Sequence, residues 1–128
     1  MKAGLLAIGI AAVALMPGGR TNGPVTVDVT IHHSQFLPTH FSFPAGTTVR
    51  FVIHNTDPID HEFIVGSAVV QFYMEHTAER VHHAPGLISV PAGTTRETTY
   101  TFGSAPLLFG CHLPGHYAYG MRGTITVT

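Results

Sequence analysis

The chain has 128 residues, of which 45% are hydrophobic and 10% are charged. That length predicts one domain, and that composition excludes an intrinsically disordered chain because it supplies enough apolar residues for a core. Six basic and seven acidic residues give a formal net charge of −1, which excludes the basic surface of a nucleic-acid-binding protein. Ten histidines are the unusual feature of the composition, since histidine is a common metal ligand.

The chain begins with a basic residue and an apolar run. Lys2 precedes the apolar segment from Ala3 to Met16, which contains an Ala-x-Ala pattern at Ala12-Val13-Ala14. A membrane-spanning helix needs about 20 apolar residues, so this shorter run favours a secretory signal. An uncleaved membrane anchor is the alternative.

These features divide the chain into two parts. We expect residues 1–22 to be a signal peptide and flexible start, with cleavage between Leu15 and Gly23, and residues 23–128 to be the folded domain. The protein is then exported to the periplasm or the extracellular space. It contacts the membrane only if the first segment is uncleaved.

Several short segments alternate between apolar and polar residues, as strands do when one face is buried. The residues predicted to face inward are Val25, Val27, Val29, Ile31, Val49, Phe51, Ile53, Thr98, Tyr100, Phe102, Ile125 and Val127. A short apolar segment, HEFIVG, is a further candidate strand. Because Pro and Gly separate these segments at regular intervals, the sequence predicts an all-β, Greek-key β-sandwich.

The segment that follows HEFIVG has a different sequence pattern from the candidate strands. The pattern SAVVQFYMEHTAERVHHAPG, around 67–86, lacks alternation, and Ser67 is a suitable residue for the start of a helix. We predict a short helix or an irregular excursion here, with Val69, Phe72, Tyr73 and His76 on one face. By contrast, the pentapeptide PAGTT occurs at Pro44–Thr48 and again at Pro91–Thr95, and we interpret it as one turn type used twice.

The single cysteine lies in the stretch GCHLPGHYAYGMRG. Four residues separate Cys111 from His116, and another four separate His116 from Met121. Thiolate, imidazole and thioether together suit copper in both of its common oxidation states. A trigonal site needs a second histidine, and His61 lies where a loop enters a predicted strand, so that loop can lie at the same end of a sandwich.

Three other interpretations of Cys111 are open. It could be a buried thiol that only packs. It could be a nucleophile with His112 or His116, although no Asp or Asn in the local loop would orient the base. It could bind zinc, although structural zinc sites usually have more cysteines and no methionine.

The stretches DHEFIVG and GCHLPGHYAYGMRGTITV resemble the cupredoxin family, the small blue-copper proteins that include plastocyanin, azurin and auracyanin. The resemblance extends from Val25 to Thr128. It implies one copper ion in a type 1 site, cycling between Cu(I) and Cu(II), with three strong equatorial ligands and one weak axial ligand. The equatorial ligands would be His61, Cys111 and His116, and the axial ligand Met121.

The resemblance also implies a function. It is that of a monomeric electron carrier and not an enzyme, with redox partner proteins docking transiently near His116 beside Pro114, Tyr117 and Tyr119. One alternative is a copper-handling protein, for transport, storage or resistance, with a second site in the histidine-rich segment. The candidate ligands of that second site are Met74, His76, His82 and His83. Another alternative is an accessory domain that docks onto a larger oxidase or reductase.

Glu62 and His112 directly follow two of the candidate ligands, His61 and Cys111. Many family members have Asn directly after the first histidine ligand, where this chain has Glu62; its carboxylate would lower the reduction potential or point to solvent. In multicopper oxidases, histidines on both sides of the cysteine reach a trinuclear cluster. Here Gly110 precedes Cys111, so we expect His112 to face away from the copper.

Overall fold

The computed structural model describes residues 23–78 and 83–128. The predicted signal segment, residues 1–22, and the candidate ligand His82 lie outside the described residues. In the described ranges, ten strands form two sheets and one helix packs on the outside. Within the same ranges, no helix is both long and apolar enough to span a membrane.

The elements are short, with few residues between them. In chain order they are β1 (Val25–His32), β2 (Gln35–Leu37), β3 (His40–Phe43), β4 (Thr48–Asn55), β5 (His61–Gly66), α1 (Ala68–His76), β6 (His83–Ala84), β7 (Leu87–Val90), β8 (Thr95–Thr101), β9 (Leu107–Gly110) and β10 (Arg122–Val127).

The strands are arranged as a sandwich. The four-stranded sheet has the order β2-β1-β4-β8, and the six-stranded sheet has the order β3-β10-β9-β5-β7-β6. Two pairs are parallel, β1 with β4 and β10 with β3, and the other pairs are antiparallel. The predicted all-β, Greek-key architecture is confirmed. The short strands β2, β3, β6 and β7 were not predicted, because each has four residues or fewer, too few for an alternating pattern to stand out.

The core lies between the sheets and contains most of the side chains that alternation predicts to face inward; Val25, near the start of the domain, is 41% exposed and is a wrong prediction. Those with 5% exposure or less are Val29, Ile31, Val49, Phe51, Ile53, Thr98, Phe102 and Ile125. Phe63 packs with Phe51 and Phe109 at ring-centroid distances of 5.1 and 5.5 Å. Burying each of these rings contributes about 1.5–3 kcal/mol, so this aromatic group is a main source of the domain's stability.

The two PAGTT segments form the same turn. In each, the first threonine donates from its hydroxyl group to the proline carbonyl at 2.7 Å, from Thr47 to Pro44 and from Thr94 to Pro91. The glycines of the two copies have φ angles of +81° and +67°, a region that residues with a side chain rarely adopt. The repeat therefore reflects turn geometry, as interpreted from the sequence.

The helix α1 forms where a short helix was predicted, and Ser67 caps it by accepting a hydrogen bond from the Val70 N–H at 3.3 Å. Its apolar face is exposed to solvent. Val69, Phe72 and Tyr73 are 77%, 67% and 56% exposed.

The buried residues of this helix are Gln71 and Met74. The Gln71 amide nitrogen donates to the carbonyl oxygens of Ile64 on β5 and Leu108 on β9, at 3.0 and 3.3 Å. A buried carbonyl group needs a hydrogen-bond partner. We therefore infer that Gln71 faces inward because it supplies this partner to one carbonyl group on each of two neighbouring strands.

Candidate metal centre

Three metal-ligating side chains converge at one end of the sandwich. The ligand atoms of His61, Cys111 and His116 all lie within 4.8 Å of one another. The Nδ1 atoms of the two histidines are 3.2 Å apart, and the Cys111 sulfur is 3.4 Å from the Nδ1 of His116. Among residues 23–78 and 83–128, this is the one such group of three or more His, Cys, Asp or Glu side chains.

The sheet order explains why these residues meet. His61 is the first residue of β5, and Cys111 directly follows β9, which is the neighbour of β5 in the six-stranded sheet. His116 lies in the turn that connects β9 to β10. Because β5 and β9 pair antiparallel, the start of β5 lies beside the end of β9. His61 and Cys111 are therefore close in space, although they are far apart in sequence.

Backbone hydrogen bonds close the loop that holds Met121. The Met121 N–H donates to the His116 carbonyl at 3.0 Å, and the Cys111 N–H donates to the Met121 carbonyl at 3.1 Å. Met121 is 1% exposed and belongs to the same buried cluster as Cys111. The fourth candidate ligand is therefore fixed next to the other three.

The donor set and its spacing fit a bound copper ion. Donor atoms that each lie about 2.0–2.3 Å from one metal ion are about 3–4 Å from each other, and the two distances from the His116 Nδ1, to the His61 Nδ1 and to the Cys111 sulfur, lie in this range. One thiolate, two imidazoles and a thioether form the soft, nitrogen- and sulfur-rich set that accommodates copper. Cys111 and His61 are 0% and 1% exposed, so water has little access to that side of the centre.

The residue that follows His61 also contacts the centre, through its backbone. The Glu62 N–H donates to the Cys111 sulfur at 3.3 Å. A donor at this position stabilises negative charge on the sulfur. Glu62 is 4% exposed, so the alternative that this residue points to solvent is wrong.

Sequence reasoning missed Asp57, which contacts the other side of the His61 ring. The His61 Nε2 atom lies 2.8 Å from an Asp57 carboxylate oxygen, and both side chains are buried. The same carboxylate accepts hydrogen bonds from the backbone N–H groups of His33 and Ser34 at 2.7 and 2.8 Å. The only local signal is an Asp-Pro pair, which usually indicates a turn.

The surroundings lower two pKa values. Burial alone would raise the pKa of Asp57, but hydrogen bonds from Ser34, His61 and His33 outweigh it and hold the pKa below its ordinary value of 3.8. Burial and the nearby His61 lower the pKa of His116 below 6.5, against the opposing effect of Asp57. The lowered pKa favours the neutral form of the His116 ring, which has a lone pair available for a metal ion.

These shifts predict that the metal-free protein loses stability as the pH falls. Below about pH 6.5 the unfolded chain protonates its histidine more readily than the folded chain protonates His116, so unfolding is favoured. Below about pH 3.8 the same argument applies to Asp57, whose contribution is present only above that range.

The measurement is the free energy of urea unfolding of the metal-free protein between pH 7.5 and 3, compared with a His116→Gln variant. The variant should show a smaller loss between about pH 6.5 and 5, because it lacks the shifted histidine. Identical pH profiles for the two proteins would contradict the assignment to His116.

His112 faces away from the ligand cluster, towards α1, in agreement with its predicted orientation. It is 2% exposed. Its Nδ1 lies 2.5 Å from a Glu75 carboxylate oxygen and its Nε2 lies 2.5 Å from the Gln71 amide oxygen. The ring stacks on Tyr117 at 4.5 Å. A side chain at Gly110 would meet the Tyr117 ring at 2.5 Å, which explains the glycine before the cysteine.

The candidate second site is not assembled by the described residues. Met74 is 3% exposed and faces the sheet from α1. His76, on the exposed side of the helix, lies with its Nδ1 2.7 Å from the carbonyl oxygen of Phe72, and His83 is exposed on the short strand β6. Because His82 lies outside the described residues, metal binding by this segment stays a prediction.

Comparisons with known proteins agree with the geometry. Residues 24–128 match the sequence profile of a protein family that is described as "copper binding proteins, plastocyanin/azurin family". The copper-resistant cuproprotein CopI of Rubrivivax gelatinosus is 33% identical over 117 residues, which cover 87% of this chain and 71% of the relative. CopI of Vibrio cholerae is 32% identical over 114 residues, which cover 85% of this chain and 68% of the relative.

A solved structure of auracyanin B superposes with a TM-score of 0.69 at 26% identity, covering 85% of this chain and 93% of that one. A reduced auracyanin from Roseiflexus castenholzii superposes with a TM-score of 0.67 at 21% identity, covering 83% and 99%. At that identity, the second likeness shows the shared fold alone.

Proposed function

The chain belongs to the plastocyanin/azurin family of copper-binding proteins, and from this premise we propose that it is an exported carrier of single electrons and not itself an enzyme. The observation that carries the proposal is the convergence of His61, Cys111 and His116, with Met121 held beside them. A bound copper ion supplies the chemistry by changing between Cu(I) and Cu(II). The protein's own part is to hold the donor atoms in place and to exclude water.

Rigid positioning of the donors supports electron transfer. The Glu62 N–H fixes the Cys111 sulfur, Asp57 fixes the His61 ring, and backbone hydrogen bonds fix His116 relative to Met121. Outer hydrogen bonds of this kind orient metal ligands and tune the reduction potential. When little has to move as the charge of the metal changes, the exchange of an electron is fast.

The surface around His116 supports transient docking of a redox partner. His116 is half-buried, so its ring reaches from the centre towards the surface. Tyr119 in the same loop is 89% exposed, and Pro114 is exposed as well. An uncharged, partly aromatic rim suits the small, short-lived interfaces of electron-transfer pairs, and we propose that the protein acts as a monomer.

Copper handling is a second candidate function. It is favoured by the relatives, since CopI proteins from three bacteria are described as copper-resistant cuproproteins. In this case the exposed histidines at His76 and His83, outside the centre, would bind additional copper that exchanges readily.

Copper stoichiometry and redox cycling separate the two functions. The metal-free protein is loaded with Cu(II), desalted, analysed for bound copper, and then reduced and reoxidised repeatedly; a His76→Ala/His83→Ala variant is the matched control. We expect one tightly held copper per chain in both proteins, with full recovery of the oxidised spectrum after each cycle. Several exchangeable coppers that are lost in the variant would favour copper handling, and a copper that cannot be cycled would refute electron transfer.

A further inference from the structure

The connection between β4 and β5 places a carboxylate on the far side of a ligand ring. The Asp57 carboxylate oxygen lies 2.8 Å from the Nε2 atom of His61, and the two side chains are 5% and 0% exposed. A carboxylate can only accept hydrogen bonds, so the hydrogen of the neutral imidazole must lie on Nε2. The lone pair is then on Nδ1, the atom that faces His116 and Cys111.

The carboxylate is itself held by a turn from the other sheet. Between β1 and β2, His33 and Ser34 have φ angles of +49° and +55°, a region that residues other than glycine seldom adopt. Successive N–H groups in a turn can point into one concave site that binds anions. Here both N–H groups donate to Asp57, at 2.7 and 2.8 Å.

A neighbouring side chain fixes the backbone of the same connection. The Asn55 amide oxygen accepts a hydrogen bond from the Asp57 N–H at 3.0 Å, and its amide nitrogen donates to the carbonyl oxygens of Ile59 and Val90, both at 2.9 Å. Asn55 is 3% exposed. The position of Asp57 is therefore determined by the backbone of both sheets, and the position of the His61 ring follows from it.

We propose that Asp57 is a positioning residue that holds His61 in the metal-binding tautomer and makes the centre favour Cu(II) over Cu(I). The first part concerns the metal-free chain, and the second part rests on the proposed redox function. A buried negative charge beside the ligand ring makes the imidazole a stronger donor and interacts more favourably with the doubly charged ion. The carboxylate comes from Asp57, four residues before His61.

The test compares Asp57→Asn with Asp60→Asn. Both substitutions remove one carboxylate from the same connection, but Asp60 is exposed and accepts its hydrogen bond from the Ala92 N–H, at 2.9 Å. The first measurement is the ¹⁵N NMR spectrum of the His61 ring in the metal-free proteins. We expect hydrogen on Nε2 in the wild type and in Asp60→Asn, and a mixed or reversed tautomer in Asp57→Asn. A wild-type ring with hydrogen on Nδ1 would overturn the proposal without any variant.

The second measurement is the affinity of each protein for Zn(II), Cu(II) and Cu(I). Loss of an outer hydrogen-bond partner typically lowers metal affinity about 10- to 100-fold, so Asp57→Asn should lose this much for Cu(II) and Zn(II) and clearly less for Cu(I). For each factor of ten by which the loss of Cu(II) affinity exceeds the loss of Cu(I) affinity, the reduction potential of the variant rises by about 59 mV. Equal losses for Cu(I) and Cu(II), or the same losses in Asp60→Asn, would show that Asp57 has no specific effect.

The Zn(II) and NMR results keep this proposal separate from the proposed function, because neither requires electron transfer. If the copper-loaded protein cannot be cycled but the His61 tautomer and the Zn(II) affinity change as expected, the positioning role stands and only the electron-carrier proposal fails. If Asp57→Asn does not fold, the wild-type spectrum still decides the tautomer.

Discussion

Replacing Cys111 with serine is expected to abolish the intense visible absorption of the copper-loaded protein and to convert its EPR spectrum from a narrow to an ordinary copper hyperfine splitting. The absorption arises from charge transfer between a thiolate sulfur and Cu(II), and Cys111 is the only cysteine in the chain. A serine hydroxyl at this position is a hard, neutral donor and provides no such transition. The measurements are the visible and EPR spectra after loading with Cu(II).

The control for this experiment is a variant that leaves the centre intact. His76→Ala removes an exposed imidazole on α1, and we expect its spectra to match the wild type. Far-ultraviolet circular dichroism establishes that Cys111→Ser is folded. A colourless wild-type protein, or an intense band that survives in Cys111→Ser, would refute the type 1 assignment.

Truncating Phe63 to alanine is expected to destabilise the metal-free protein by about 3–5 kcal/mol. Phe63 is 0% exposed and lies two residues after His61 on β5, within 5.7 Å of the ring centroids of Phe36, Phe51 and Phe109. Its removal leaves a cavity between the two sheets that rigid strands cannot fill. The free energy of unfolding of a small domain is about 5–15 kcal/mol in total, so this single substitution would remove a large fraction of it.

Phe72→Ala is the matched control, because the same atoms are removed from a side chain that is 67% exposed on α1. We expect its free energy of unfolding to lie within about 0.5 kcal/mol of the wild type. Urea denaturation of the metal-free proteins gives both values. A loss in Phe72→Ala as large as that in Phe63→Ala would mean that the outer face of α1 is packed against something in solution.

The parts of the molecule that the sequence predicts well are those encoded by local patterns. Alternation identified the buried faces of β1 and β4, because a strand with one buried face repeats every two residues. The spacing from Cys111 to His116 to Met121 was informative since one short loop carries all three residues. The prediction of His61 as a ligand required one further assumption, that its loop lies at the same end of the sandwich as the Cys111 loop.

The parts that were missed depend on contacts between distant segments. The role of Asp57 arises from a turn on β1–β2 and a ring on β5, and nothing next to Asp57 in sequence indicates either contact. The helix α1 was predicted, but its orientation was not. A helix normally buries its apolar face, whereas here the carbonyl groups of Ile64 and Leu108 draw Gln71 inward.

The position of β10 between β3 and β9 ties the ligand loop to the interior of the six-stranded sheet. β9 ends directly before Cys111, β10 begins directly after Met121, and the two strands pair antiparallel. The backbones of Cys111 and Met121 are hydrogen-bonded to each other where the pairing ends. The loop is therefore closed by the sheet itself, and the ligands that it carries take their positions from strand pairing rather than from a covalent crosslink.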